Sequence, residues 1–163
     1  MVRSIEALQQ ATRNAADGIS LVQTAEGALD EVSNILLRMK ELAEQSLNGT
    51  LSDTDRGYLD AEYTELTNEI DRIAQSSEFN GIQLLDGTGG SVSIQVGIST
   101  NTYDSIAVDL STNRDAATLG LAAEAGRVDR GRRLDDAVTN LLDDFVVFAE
   151  LSVWKQFDLD RPA

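Results

Sequence analysis

SIEALQQATRNAADGISLVQTAEGALDEVSNILLRMKELAEQS, residues 4–46, contains no proline and only two glycines, Gly18 and Gly27. Three series run through it at seven-residue intervals. The first is Leu8, Ala15, Val22, Leu29, Leu36 and Ala43, and the second is Ala11, Gly18, Ala25, Val32, Met39 and Ser46. The third is Leu21, Ala28, Ile35 and Leu42. A repeat of seven sustained this long predicts one extended helix whose apolar stripe needs partner helices. About 40 residues at about 1.5 Å each make a helix of about 60 Å, the shape of a building block more than of an enzyme. Gly18 lies between Ala11 and Ala25 in one register, so three small residues are expected to let a neighbouring helix approach closely.

Downstream, Leu47-Asn48-Gly49-Thr50 reads as a helix end and turn, because Asn and Gly tolerate positive φ. Ser52 reads as an N-cap, with Asp55 three residues on. A second helix over residues 53–76 carries the stripe Leu59, Tyr63, Leu66, Ile70, Ile73. The short connection predicts antiparallel helices, the second covering the C-terminal half of the first. Phe79-Asn80-Gly81 marks a further turn. The period then changes to two: Val92, Ile94 and Val96, then Ile106, Val108 and Leu110, alternate with mostly polar residues. That predicts a β-hairpin with one apolar face, which is expected to pack on the end of the helical rod. After a link with a helical turn near residues 116–119, a third helix is expected over residues 129–155. Its stripe is Leu134, Val138, Leu141, Phe145 and Phe148. The fold class is therefore mainly α, a long antiparallel rod or bundle of three helices with a small β-hairpin, in one structural domain. Residues 1–78 hold the two first helices, 79–126 the hairpin and link, and 127–163 the returning helix and tail.

Composition narrows the function. The 163 residues include 28 acidic and 13 basic side chains, a formal net charge of −15. Such a field repels nucleic acid and anionic membrane surfaces. The basic cluster Arg127, Arg130, Arg132 and Arg133 is interleaved with Asp129, Asp135 and Asp136 and reads as a solvated helix start. With no Cys and no His, disulfides, thiolate chemistry and the commonest base and metal ligand are gone. No apolar run has the length of a membrane span, and the N-terminus lacks the apolar stretch of a cleaved signal.

No catalytic constellation emerges. The carboxylate pairs Glu41/Glu44, Asp53/Asp55, Asp135/Asp136 and Asp143/Asp144 fall on exposed faces or caps. A carboxylate hydrolase built on Asp143 and Asp144 would need a cleft that nothing here signals. Asp86-Gly87-Thr88-Gly89-Gly90 lacks the lysine and following helix of a phosphate loop. Asn48-Gly49-Thr50 matches the glycosylation pattern, and the needs of the turn account for it. No enzyme activity, cofactor or metal is expected. What remains is surface for other proteins, chiefly a ridge of Arg38 and Leu42 with Lys40, Glu41 and Gln45 beside them. Leu42 belongs to an apolar series, so it reads as core or, at the rim of a wide stripe, as an exposed anchor beside an arginine.

Several stretches together resemble bacterial flagellin. They are RNAADGISL at 13–21, QTAEGAL at 23–29, RMKELAEQSLNGT at 38–50, EIDRI at 69–73, FNGIQLL at 79–85, VSIQVG at 92–97 and TLGL at 118–121. They occur in family order. The hook–filament junction proteins share parts of the helical pattern and are the alternative.

The resemblance implies a structural subunit of the extracellular flagellar filament, serving swimming and exported without a cleaved signal. Its partners would be other flagellin subunits. It also implies recognition by the Toll-like innate immune receptor, with Arg38, Leu42 and Glu62 at the positions of receptor contacts. Lys40 stands where the family commonly has arginine, and Glu44 where it commonly has an aliphatic residue. At the other end only Arg133-Leu134 and Ala137-Val138-Thr139-Asn140-Leu141 follow the family's returning helix. From about Leu142 the pattern is lost. The expectation is a short flagellin rod domain that forms no ordinary filament and pairs as a homodimer.

Overall fold

A computed structural model describes residues 2–99 and 101–121. Two helices dominate. Helix α1 spans Val2–Ser46 and helix α2 spans Asp53–Ser76. Four short strands follow: β1, Glu78–Phe79; β2, Ile82–Gln83; β3, Gly90–Gln95; and β4, Ser105–Leu110. The fold is mainly helical with small antiparallel strands. The third helix, the tail and the basic cluster expected beyond residue 121 lie outside the described residues. α1 starts two residues before the expected position, and α2 has the expected bounds.

The chain forms two compact units. One contains Met1–Asp30 and Ile70–Thr118. The other contains Glu31–Glu69 and, among the described residues, 119–121.

In the Glu31–Glu69 unit the heptad series become the core. Val32, Leu36, Met39, Leu42 and Ala43 of α1 and Tyr63 of α2 have no exposed surface. Each fully buried large apolar side chain contributes about 1.5–3 kcal/mol relative to leaving it in water. The link between the helices is held at both ends. The Ser52 hydroxyl accepts from Asp55 N at 3.2 Å, and the Asp55 carboxylate accepts from Ser52 N at 3.1 Å. This reciprocal box satisfies donors that begin α2. Arg56, one turn into α2, reaches back to the carbonyl oxygens of Ser46 and, at 3.1 Å, Asn48. It thereby satisfies a carbonyl that the end of α1 leaves open. The contacts Ser46 with Arg56 and Arg38 with Glu62 run in opposite chain directions, so the helices are antiparallel here.

In the other unit Ala11 and Leu21 of α1 are buried, as are Ile70, Ile73 and Ala74 of α2 and Leu84, Leu85, Leu110 and Ala116. Asn80 and Gly81 both take positive φ, 51° and 77°. They form the two-residue turn that joins β1 to β2, with Phe79 opposite Ile82. The expected turn is thus a small hairpin of its own. The larger hairpin pairs Val92 with Val108 and Ile94 with Ile106. Val96, expected on the strand, lies just beyond it, where Val96 N and Gly97 N both donate to Asp104 O at 2.8 and 2.9 Å.

The hairpin packs on the side of α1, not on a rod end. Asn14 Nδ2 donates to Gln95 O at 2.9 Å. A Cβ on Gly18 would lie 2.6 Å from Ile94 Cδ1. Gly18 therefore admits a strand side chain, where the sequence suggested a neighbouring helix. Leu8, a member of the first series, is 53% exposed. Within the expected link, residues 116–120 form a turn, where Ala116 N donates to Asp71 Oδ1 at 2.8 Å.

Candidate protein-binding surface

The heptad that buries Val32, Met39 and Ser46 turns Arg38 outward, onto the edge facing α2. Arg38 Nε and Nη2 both donate to Glu62 Oε1, at 2.9 and 2.7 Å, and Nη1 donates to Glu41 Oε2 at 2.9 Å. The hydrogen bonds to Glu62, and then to Glu41, favour the charged guanidinium and push Arg38 further above its ordinary range. Three of the five N–H donors of an arginine are used by these bonds. The two side chains stay 46% (Arg38) and 44% (Glu62) exposed. Arg38 and Glu62, 24 residues apart, thus form one polar knob on the surface of this unit.

Leu42 does not join that knob. It has no exposed surface, because it continues the buried stripe one turn beyond Arg38. Its reading as core holds and its alternative reading as an exposed anchor is corrected: it lies behind the polar surface. Lys40 is half-buried, while Glu41, Glu44 and Gln45 are exposed.

A second surface belongs to the other unit. Ile5, Leu8 and Ile19 of α1 are 57%, 53% and 59% exposed. Three and fourteen residues from Ile5, Leu8 and Ile19 fall within about 60° of it around a helix at 3.6 residues per turn. They share one helix face as a sparse row, Ile19 standing about 16 Å along the axis from Leu8 beyond exposed Thr12 and Ala16. An open groove of about 320 Å³ lies elsewhere in this unit, walled by Asn14, Gly18, Leu21, Phe79, Ile82 and Ile94. At the hairpin tip Ile98 is 58% and Tyr103 91% exposed.

Sequence reasoning missed Arg56 and the apolar row. Arg56 had a signal, being an arginine four residues after the cap residue Ser52, within reach of the preceding helix end. The row had none, because Leu8 satisfies the same heptad as buried Leu36. Among the described residues no group of three or more His, Cys, Asp or Glu side chains is placed to hold a metal ion. Among them, too, no helix is long and apolar enough to cross a membrane.

Residues 1–89 match the family described as the bacterial flagellin N-terminal helical region. A flagellin of Halalkalibacterium halodurans is 48% identical over 125 residues, covering 76% of this chain and 45% of that protein. The B-type flagellin of Pseudomonas aeruginosa is 48% identical over 116 residues, covering 71% of this chain and 23% of that protein. The chain thus spans less than half the length of these curated relatives. Among solved structures, a Bacillus cereus flagellin crystal structure is similar at a TM-score of 0.55 and 30% identity, with 88% of each chain covered. FliC from Burkholderia pseudomallei is similar at a TM-score of 0.57 and 39% identity, over 62% of this chain and 38% of that one.

Proposed function

This chain belongs to the bacterial flagellin family, and from that premise we propose that it is a structural subunit of the extracellular flagellar filament, serving swimming. The observation that carries the proposal is the row Ile5, Leu8 and Ile19, each more than half exposed on α1. Aliphatic side chains aligned on one helix face mark a surface that another protein covers. Other flagellin subunits are the partners this reading assigns, by lateral contact along the helix, and a homodimer is its smallest form.

The test is addition to flagellin filament seeds, followed by electron microscopy and sedimentation. The expected result is association of the wild-type chain with seeds or with itself, no long filaments of the chain alone, and no association of a Leu8→Asp, Ile19→Asp variant. Failure of the wild-type chain to associate with seeds or with itself would overturn the proposal.

A second reading rests on the polar knob. Arg38 and Glu62 are held together and half exposed, and this reading assigns them to contact with the Toll-like immune receptor. Buried Leu42 then acts by holding the helix beneath Arg38 in place. Receptor activation should fall with Arg38→Ala and with Glu62→Ala; a wild-type chain that activates nothing would end this reading.

A further inference from the structure

Two Asn-Gly pairs, Asn48-Gly49 and Asn80-Gly81, are exposed in this chain, and their surroundings are opposite in chemical consequence. At Asn48 the side-chain carbonyl Oδ1 accepts from Thr50 N at 3.2 Å and from Thr50 Oγ1 at 3.0 Å. Those bonds curl the side chain over the Gly49 peptide and draw electron density from Cγ. The main-chain carbonyl of Asn48 also accepts twice, from Leu51 N at 3.2 Å and from Arg56 Nη2 at 3.1 Å. That oxygen is where negative charge collects when the Gly49 N–H ionises. A guanidinium and an amide donor placed there favour the ionised peptide, as preorganised donors favour any developing oxyanion.

Asn80 has the same neighbour and none of this assistance. It occupies the β1–β2 turn with φ 51°, followed by Gly81 at φ 77°. A residue in the left-handed region carries the next peptide nitrogen on the far side of Cα from its own Cβ. Bringing Gly81 N to the Asn80 side chain requires rotation that opens the Phe79–Ile82 pair.

We propose that Asn48 is a site of spontaneous covalent self-modification, deamidating through a succinimide formed with Gly49 while Asn80 is protected by its hairpin. In the first step Gly49 N gives its proton to solvent and attacks Asn48 Cγ. The N–Cγ bond forms, the Cγ–Nδ2 bond breaks, and the amide nitrogen leaves as ammonia after taking up a proton. In the second step water adds to one of the two ring carbonyls and opens the ring. The product is aspartate or isoaspartate at position 48, with one water consumed and one ammonia released, and no change of oxidation state. Isoaspartate lengthens the main chain inside the link that Arg56 and the Ser52–Asp55 box hold together. Either product adds a negative charge beside the acidic start of α2.

The experiment incubates the full chain at 37 °C and mildly alkaline pH. Conversion at each asparagine is followed by peptide mapping with mass spectrometry and isoaspartyl-specific methylation. Orientation alone is worth orders of magnitude in intramolecular reactions, so Asn48 should convert at least about tenfold faster than Asn80. Thr50→Val and Arg56→Gln should each slow Asn48 by about threefold or more, through loss of one charge-stabilising donor. In chain unfolded by guanidinium chloride the two rates should converge. Equal rates in the folded chain, an Asn48 rate unmoved by both substitutions, or a difference that persists on unfolding would each overturn the proposal.

Discussion

Ser52 and Asp55 show how a pair of side chains sets a helix start. The Ser52 side-chain hydrogen bond, and then its backbone N–H, hold the Asp55 carboxyl below its ordinary value of 3.8. A depressed carboxylate pKa contributes stability that is present above the unfolded-state value and is lost as pH falls through the folded-state value. Asp109, bonded by Ser111, and Asp115, bonded first by Thr118 N, are lowered in the same way. Thermal melts from pH 7 downward should therefore show the wild type losing stability below about pH 4, the unfolded carboxylate range. Asp55→Asn should be less stable than wild type at pH 7 and should approach it at the acid end of that window. A difference that stayed constant with pH would contradict the cap. Ser52→Ala should cost about 1 kcal/mol in chemical denaturation, the usual cost of removing an N-cap hydroxyl. Gly18 poses a different contest. Gly18→Ala gains about 1 kcal/mol of helix propensity, but its Cβ meets Ile94 Cδ1, the movable end of a side chain. The two effects should nearly cancel. Gly18→Leu cannot be accommodated by one rotamer change and should destabilise by about 1–3 kcal/mol in the same assay.

Elements differ in how openly the sequence announced them. α2 was legible to its ends, because the cap Ser52 and the stripe Leu59, Tyr63, Leu66, Ile70, Ile73 specify the same helix independently. The β3–β4 hairpin was legible because Val92, Ile94, Ile106 and Val108 alternate strictly, but its register was not, because alternation fixes faces and not partners. Asn80-Gly81 announced a turn but not a hairpin, since two-residue strands leave no periodicity to detect. The docking of β3 against Gly18 was illegible for another reason: a small residue signals close approach without saying by what. The candidate surface divided likewise. Arg38 stood out on its ridge, whereas Glu62 entered only through the family resemblance, because no spacing rule links positions 24 residues apart; the burial of Leu42 depends on how widely the stripe is covered, a tertiary quantity. These distinctions have measurable weight. Leu36, with no exposed surface, should cost about 2–5 kcal/mol on truncation to Ala. Arg38→Ala should cost far less, because an exposed ion pair is offset by side-chain entropy and solvent. Its small effect should fade in 1 M salt, while that of Leu36→Ala should persist. A salt-insensitive loss at Arg38 would mean that its packing, not its charge, matters.

At the scale of the whole molecule two surface properties oppose each other. The net charge of −15 makes copies of this chain repel one another, and that repulsion is screened over a Debye length of about 10 Å at 0.1 M salt. The row Ile5, Leu8 and Ile19 favours association and is little affected by screening, because apolar burial does not depend on counterions. If the row is the lateral contact of a filament subunit, association should be weak at about 10 mM salt, where the Debye length is about 30 Å, and should strengthen toward physiological ionic strength. Leu8→Asp with Ile19→Asp should remove association at every salt concentration. These side chains are already mostly in water, so exposed-site substitution should leave the melting temperature of the unassembled chain close to that of wild type. Sedimentation velocity across a salt series, paired with melts of both proteins, separates the two contributions. An association that weakened with added salt would place its origin in ion pairs and would remove the apolar row from the filament contact.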